Sequence, residues 1–187
     1  MGTNIHYDRE WKRSHNRLGL GLEARWSGAD MYLNRYQGIS SKRSVSSTIS
    51  EEILNGWDVQ ALLQMPYIPS VRMMLAGSHW RKSANEHISG FKAGLEADLS
   101  PSIRLAVGVA NDNDPNNMEV FLNVKLKLGG YRKNTSLSQN DKLVSASIWE
   151  MKDMSQHTLD RVRREETIRL KQTSINNGTI SISVSRN

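Results

Sequence analysis

Arg17-Leu18-Gly19-Leu20-Gly21-Leu22-Glu23-Ala24-Arg25-Trp26 divides by parity into two chemically different sets. Even positions read Leu18, Leu20, Leu22, Ala24 and Trp26; odd positions read Arg17, Gly19, Gly21, Glu23 and Arg25. Successive side chains of a strand point to opposite faces, whereas a helix returns to one face about every 3.6 residues. Strict alternation therefore predicts a strand with one apolar and one polar face. The same period recurs at Trp57–Tyr67, Ser89–Leu99 and Glu119–Leu128. Weaker alternation fits around Asn4–Tyr7, Ala29–Tyr36, Val71–Trp80 and Ile103–Ala110, so the count of predicted strands is eight.

The connections between these strands alternate in length. Longer polar stretches lie at Asp8–Asn16, Gln37–Asn55, Arg81–His87 and Asn111–Asn117, and tight ones at Ser27–Gly28, Ile68–Ser70 and Ser100–Ser102. Long loops at one end and short turns at the other is the plan of an outer-membrane β-barrel. Trp57 and Tyr67 share the apolar face ten positions apart. At roughly 3.3 Å per residue that is about 33 Å along the strand. A tilt near 45° projects this to about 23 Å, close to the roughly 25 Å apolar band between the aromatic girdles of such barrels. Trp26, Trp80 and Tyr131 also fall at predicted strand ends, where an amphipathic ring suits a lipid–water interface. The expected fold is all-β, an antiparallel up-and-down outer-membrane β-barrel.

In such a barrel the polar-face residues Arg17, Glu23, Arg25, Lys92, Glu96, Arg104 and Lys125 form a hydrated lumen of mixed sign. Gly19 and Gly21 lie on that face inside a strand with no helix pattern after them, so they bend the barrel or make room in the lumen and do not form a phosphate loop. Parity alone does not distinguish inward from outward. The alternative is a soluble eight-stranded barrel with its Leu/Val face turned inward around a small apolar ligand.

Composition narrows the chemistry. The 187 residues carry 25 basic and 19 acidic side chains and no cysteine. Disulfides, thiolate nucleophiles and Cys-based metal sites are thereby excluded. No stretch approaches the roughly 20 apolar residues of a membrane helix. The cations are dispersed among acids, as in Asp160-Arg161-Val162-Arg163-Arg164-Glu165-Glu166, and a nucleic-acid surface would need them gathered with stacking aromatics. His6, His15, His79, His87 and His157 show no ligand spacing. Asp112-Asn113-Asp114-Pro115-Asn116-Asn117 lacks the Gly and Glu of a calcium loop and reads as a solvated hairpin loop. Glu51, Glu52, Glu96 and Asp98 have no base or nucleophile arranged beside them by sequence. The expectation is a non-enzymatic protein with no catalytic, cofactor-binding or metal residues and no cofactor. Met1-Gly2-Thr3-Asn4 opens without the basic and apolar regions of a secretory signal.

After Leu128 the character changes at Gly129-Gly130-Tyr131-Arg132-Lys133, and Asn134–Lys142 is rich in Ser and Asn. The chain divides into barrel strands over 1–130 and, over 131–187, a linker with a short helix and a terminal strand pair. The helix is expected at Ser155–Arg164. The strand pair is expected at Thr167–Ile175 and Thr179–Val184, around the hairpin signal Asn177-Gly178.

Several words, in this order, carry a family likeness: Asn4-Ile5-His6-Tyr7-Asp8; His15-Asn16-Arg17-Leu18-Gly19-Leu20-Gly21-Leu22-Glu23; Asn55-Gly56-Trp57-Asp58-Val59; Met65-Pro66-Tyr67; Phe91-Lys92-Ala93-Gly94-Leu95-Glu96-Ala97; and Thr158 to Lys171. Together they resemble the barrel and linker of the intimin/invasin family of inverse autotransporters, across most of residues 4–171. The resemblance implies a non-catalytic outer-membrane anchor and translocator of about twelve strands, an even count within the known range. Its linker threads the lumen and displays a C-terminal adhesin passenger for cell adhesion. It also implies the outer-membrane bilayer, the barrel-assembly machinery and periplasmic chaperones as partners, with no nucleic acid and with the host receptor set by the passenger. On this reading the eight strands are the later portion of a larger barrel, and the chain is a fragment of a longer product.

Overall fold

The structure, a computed structural model, describes residues 1–11, 14–83, 85–100, 102–113, 116–126, 148, 162–176 and 179–186. The strands are β1 (Gly2–Glu10), β2 (His15–Arg25), β3 (Ala29–Gly38), β4 (Arg43–Ser44), β5 (Ile49–Ile53), β6 (Asn55–Met65), β7 (Ile68–Arg81), β8 (His87–Ser100), β9 (Ile103–Asn113), β10 (Asn116–Leu126), β11 (Arg169–Asn176) and β12 (Thr179–Arg186). Eight of them form an antiparallel meander in the order β1-β2-β3-β6-β7-β8-β9-β10. These are the eight strands that alternation predicts, most of them a few residues longer at their ends. β2 ends one residue early, at Arg25, and the larger exception is β6. It stops at Met65, before the expected Tyr67, because Pro66 has no N–H to donate and Tyr67 turns the chain with φ 62°.

The register keeps like faces together across the sheet. Leu63 lies opposite Met73, Met73 opposite Leu95, Leu95 opposite Val107, and Val107 opposite Leu122. This apolar face is the exposed one: Leu20 is 54% exposed and Leu122 67%. The alternate residues Arg17, Asn34, Asp58 and Glu96 are buried. A barrel that held an apolar ligand in water would enclose the leucines, so the soluble-barrel reading is overturned. An apolar band this wide is stable only against lipid or a partner surface.

Three further expectations change. Trp80 is not at a lipid interface; it faces inward, fully buried with Tyr36, Leu54 and Ile88. Gln37–Asn55 is more than a polar loop, since it contains β4 and β5, which join β11 and β12 in a second sheet ordered β12-β11-β5-β4. Of the helix expected over Ser155–Arg164, residues 155–161 lie outside the described residues and 162–164 have no regular secondary structure. The expected terminal strand pair is present as β11 and β12, with its Asn177-Gly178 turn outside the described residues. Tyr131 and the Gly129-Gly130 boundary also lie outside them.

Among the described residues β1 pairs only with β2, and β10 only with β9. The meander therefore presents two unpaired edges.

Candidate functional site in the lumen

The connections β2–β3, β6–β7 and β8–β9 are short and define one end of the sheet; β1–β2, β3–β6 and β7–β8 are longer and define the other, the long-loop end, where the expected loop Asn111–Asn117 is instead mostly strand, with two residues between β9 and β10. Residues 163–169 cross the polar face from the first end toward the second. The Arg163 side chain donates to Glu96 Oε1 at 2.6 Å, near the short-turn end of β8. Two residues on, the Glu165 N–H donates to Tyr36 Oη at 2.8 Å and to Asp58 Oδ2 at 3.3 Å. The Arg17 guanidinium donates to the carbonyls of Glu165 at 2.7 Å and Thr167 at 3.1 Å. At the long-loop end Arg169 reaches Asp112 Oδ2 at 2.9 Å, and its carbonyl accepts from the Leu54 N–H at 3.0 Å.

An extended segment with no neighbouring strand must satisfy its N–H and C=O groups some other way. Here side chains on the barrel wall do so. Asn34 Nδ2 donates to the Arg163 carbonyl at 3.0 Å and to Asp58 Oδ1 at 2.9 Å, and the Tyr36 hydroxyl donates to Asp58. Main-chain bonds at residues 163, 165 and 167 leave the Arg164 side chain free to reach β1, where Asp8 lies directly opposite Arg17. Arg164 accordingly donates to Asp8 Oδ1 at 2.6 Å.

The charges are matched one against another, as burial requires. Glu96, buried at 2% exposure, receives Arg163 together with Arg72 at 2.7 Å and Arg104 at 3.3 Å. Asp8 receives Arg164 and, at 2.8 Å, Arg17. Lys92 stands 3.5 Å from Glu165. Such charge-assisted bonds are roughly twice as strong as neutral ones. The Arg17 guanidinium also lies 4.4 Å from the centre of the Tyr36 ring, which stacks on Trp80 at 5.2 Å. Glycine makes this aromatic floor possible, because a Cβ at Gly56 would strike the Trp80 ring and one at Gly19 would strike His6.

Beyond the lumen the segment becomes β11 and pairs with β5, Leu170 opposite Ile53. Ile53, Ile168 and Leu170 form a small buried cluster, and Gln172 donates to Glu51 at 2.7 Å.

The sequence designates no catalytic or ligating residue. Among the described residues no group of three or more His, Asp or Glu converges in a way that could hold a metal ion. Of the expected lumen set, Arg17, Lys92, Glu96 and Arg104 meet the crossing segment or its partners, Glu23 pairs with Arg25 at 2.8 Å, and Lys125 is exposed on the edge strand β10. Asp8 and Asp112, both read as solvated loop residues, are instead ion-pair partners of Arg164 and Arg169. The signal available for them was the excess of Arg over 161–169, which needed acids elsewhere to match it.

An antiparallel meander that is apolar outside, polar inside, and clasps a piece of its own chain in its concavity defines a membrane β-barrel wall with an internal linker. Residues 1–166 match the family described as the inverse autotransporter β-domain, and the chain belongs to that family. Its members are non-enzymatic outer-membrane translocator and anchor domains, which places the chain in the setting of the outer membrane and its assembly machinery. A chain solved in work on the mechanism of in-meso crystallization of membrane proteins is 16% identical, with a TM-score of 0.72 over 91% of this chain and 73% of its own. That likeness shows the fold. No curated protein matches the chain.

Proposed function

We propose that this chain anchors and exports an adhesin passenger, as intimin and invasin do. Residues 1–130 supply barrel wall, and 131–187 supply the linker that carries the passenger outward through the lumen. The observation that carries this reading is the course of residues 163–169 from the Glu96 end of the lumen to the Asp112 end, held by ion pairs of Arg163, Arg164 and Arg169 and, alongside them, by wall side chains bonded to its main-chain atoms. Bonds of the latter kind are indifferent to sequence, which suits a pore that a polypeptide has passed through. The unpaired edges of β1 and β10 favour a larger barrel of which these strands are a part, since each unsatisfied backbone group facing lipid costs several kcal/mol.

A protease site inserted after Ser46, in the β4–β5 turn, should be cut on intact cells that carry the assembled protein. One inserted after Ser102, in the β8–β9 turn, should be cut only after the outer membrane is permeabilised. An epitope fused after Asn187 should be stained at the cell surface. The reverse pattern at Ser46 and Ser102, or an epitope retained inside, overturns the proposal.

A further inference from the structure

The outward face is apolar at mid-height and changes character at its long-loop end. There β3, β6, β7 and β8 gather Arg35, Asn55, Trp57, His79, Arg81 and His87 around a cleft of about 190 Å³, with no Asp or Glu in its lining. Strand register builds it: Arg35 lies opposite Trp57, Trp57 opposite His79, and Arg81 opposite His87. The His79 ring stands 5.9 Å from that of Trp57 and stacks on His87 at 4.9 Å, while its Nδ1 is 3.0 Å from Ser89 Oγ.

Arginines on the two faces differ in their partners. Inside, Arg17, Arg72, Arg104, Arg163, Arg164 and Arg169 each face a carboxylate. Among the described residues Arg35 and Arg81 have none, and both are exposed. A cation at the border of hydrocarbon is expensive unless an anion or water meets it. The guanidinium fork matches phosphate in two parallel bonds, and Trp57 is a ring suited to the headgroup level.

We propose that this cleft binds the phosphate of a phosphorylated glycolipid in the outer leaflet of the outer membrane. The Arg35 and Arg81 side chains would donate to the phosphate, Asn55 and the histidine edges would reach its sugar, and the apolar row beneath, Leu33 and Val59, would lie along the acyl chains. Such a site fixes the depth of the barrel and distinguishes one leaflet from the other. The inference rests on the reading that the long-loop end faces outward.

The test uses the complete barrel that contains these strands, extracted in nonionic detergent from the outer membranes of producing cells. Native mass spectrometry would follow titration with bisphosphorylated lipid A, with the same lipid dephosphorylated, and with inorganic phosphate. The wild type should retain the bisphosphorylated lipid. The double variant R35Q/R81Q should bind it about tenfold or more weakly, the effect of losing one or two charge-assisted bonds, with its heat-dependent gel mobility unchanged. Equal binding by the variant, or equal binding of the dephosphorylated lipid, overturns the site. Inorganic phosphate displacing the lipid at equal concentration overturns the lipid assignment in favour of a soluble anion. Failure of the wild type to assemble in the outer membrane overturns the anchoring reading and this site with it, whereas an assembled protein without charge-dependent binding overturns the site alone.

Discussion

β2 carries two proteins' worth of rules on one strand. Leu18, Leu20 and Leu22 are exposed, while Arg17, Gly19 and Gly21 between them are buried. On the leucine side of β2 no described residue covers the exposed leucines. On the arginine side lie residues 163–169, whose backbone and charges are met by β1, β2, β3, β6, β8 and β9. The difference shows that the apolar residues do not build this fold by collapsing together. The outer face is solvated by lipid, and cohesion inside comes from ion pairs and hydrogen bonds around a linker.

Introducing a charge on the outer face should have the largest effect. Leu95→Arg or Leu122→Arg should cost about 2–4 kcal/mol at mid-membrane, read from urea unfolding of the protein in lipid. Gln60→Arg on the inner face should cost far less. Equal losses at the two sets would erase the distinction between faces.

An intermediate effect is expected at Glu96, where three guanidiniums converge. Breaking a buried ion pair by removing one partner costs about 3–5 kcal/mol. The arginines here keep some contact with water, 18–22% by side chain, so Glu96→Gln should cost about 2 kcal/mol after that screening. Its loss should be non-additive with Arg163→Gln in a double-mutant cycle. Additive losses would mean that Glu96 holds the wall together without holding the linker.

The smallest effect belongs to a single hydroxyl. Tyr36→Phe removes the acceptor of the Glu165 N–H and the donor to Asp58. We expect a loss of about 1 kcal/mol, with faster proteolysis near residue 165 and no change in the exposure of the outer face. Unchanged protection of the linker would show that main-chain bonding in the lumen is dispensable.

Much of this molecule is legible without coordinates. The strands announce themselves by parity, and the inner position of Gly19 follows from its place between leucines. Trp80 misleads for an instructive reason. Its place near a strand end suits a girdle, yet it has the parity of Ser78 and Met74 and not of His79, and the open space at Gly56 on the neighbouring strand draws it inward. β5 is hidden because Ile49–Ile53 is short and polar at Ser50, Glu51 and Glu52, and it is a strand because β11 and β4 pair with it on either side. Asp8 and Asp112 sit near strand ends where carboxylates are normally hydrated, and nothing local marks them as ion-pair partners of Arg164 and Arg169.

The sequence by itself determined the eight strands of the meander, their two-faced character and most of the long and short connections, and hence a barrel wall, because side-chain direction in a strand is a local property of the backbone. Tertiary structure decided which face is outside, where Trp80 goes, and what fills the lumen. Those depend on pairings such as Glu51 with Gln172, separated by 121 positions. A contact across that distance is set by what the whole chain places nearby, which no local period records.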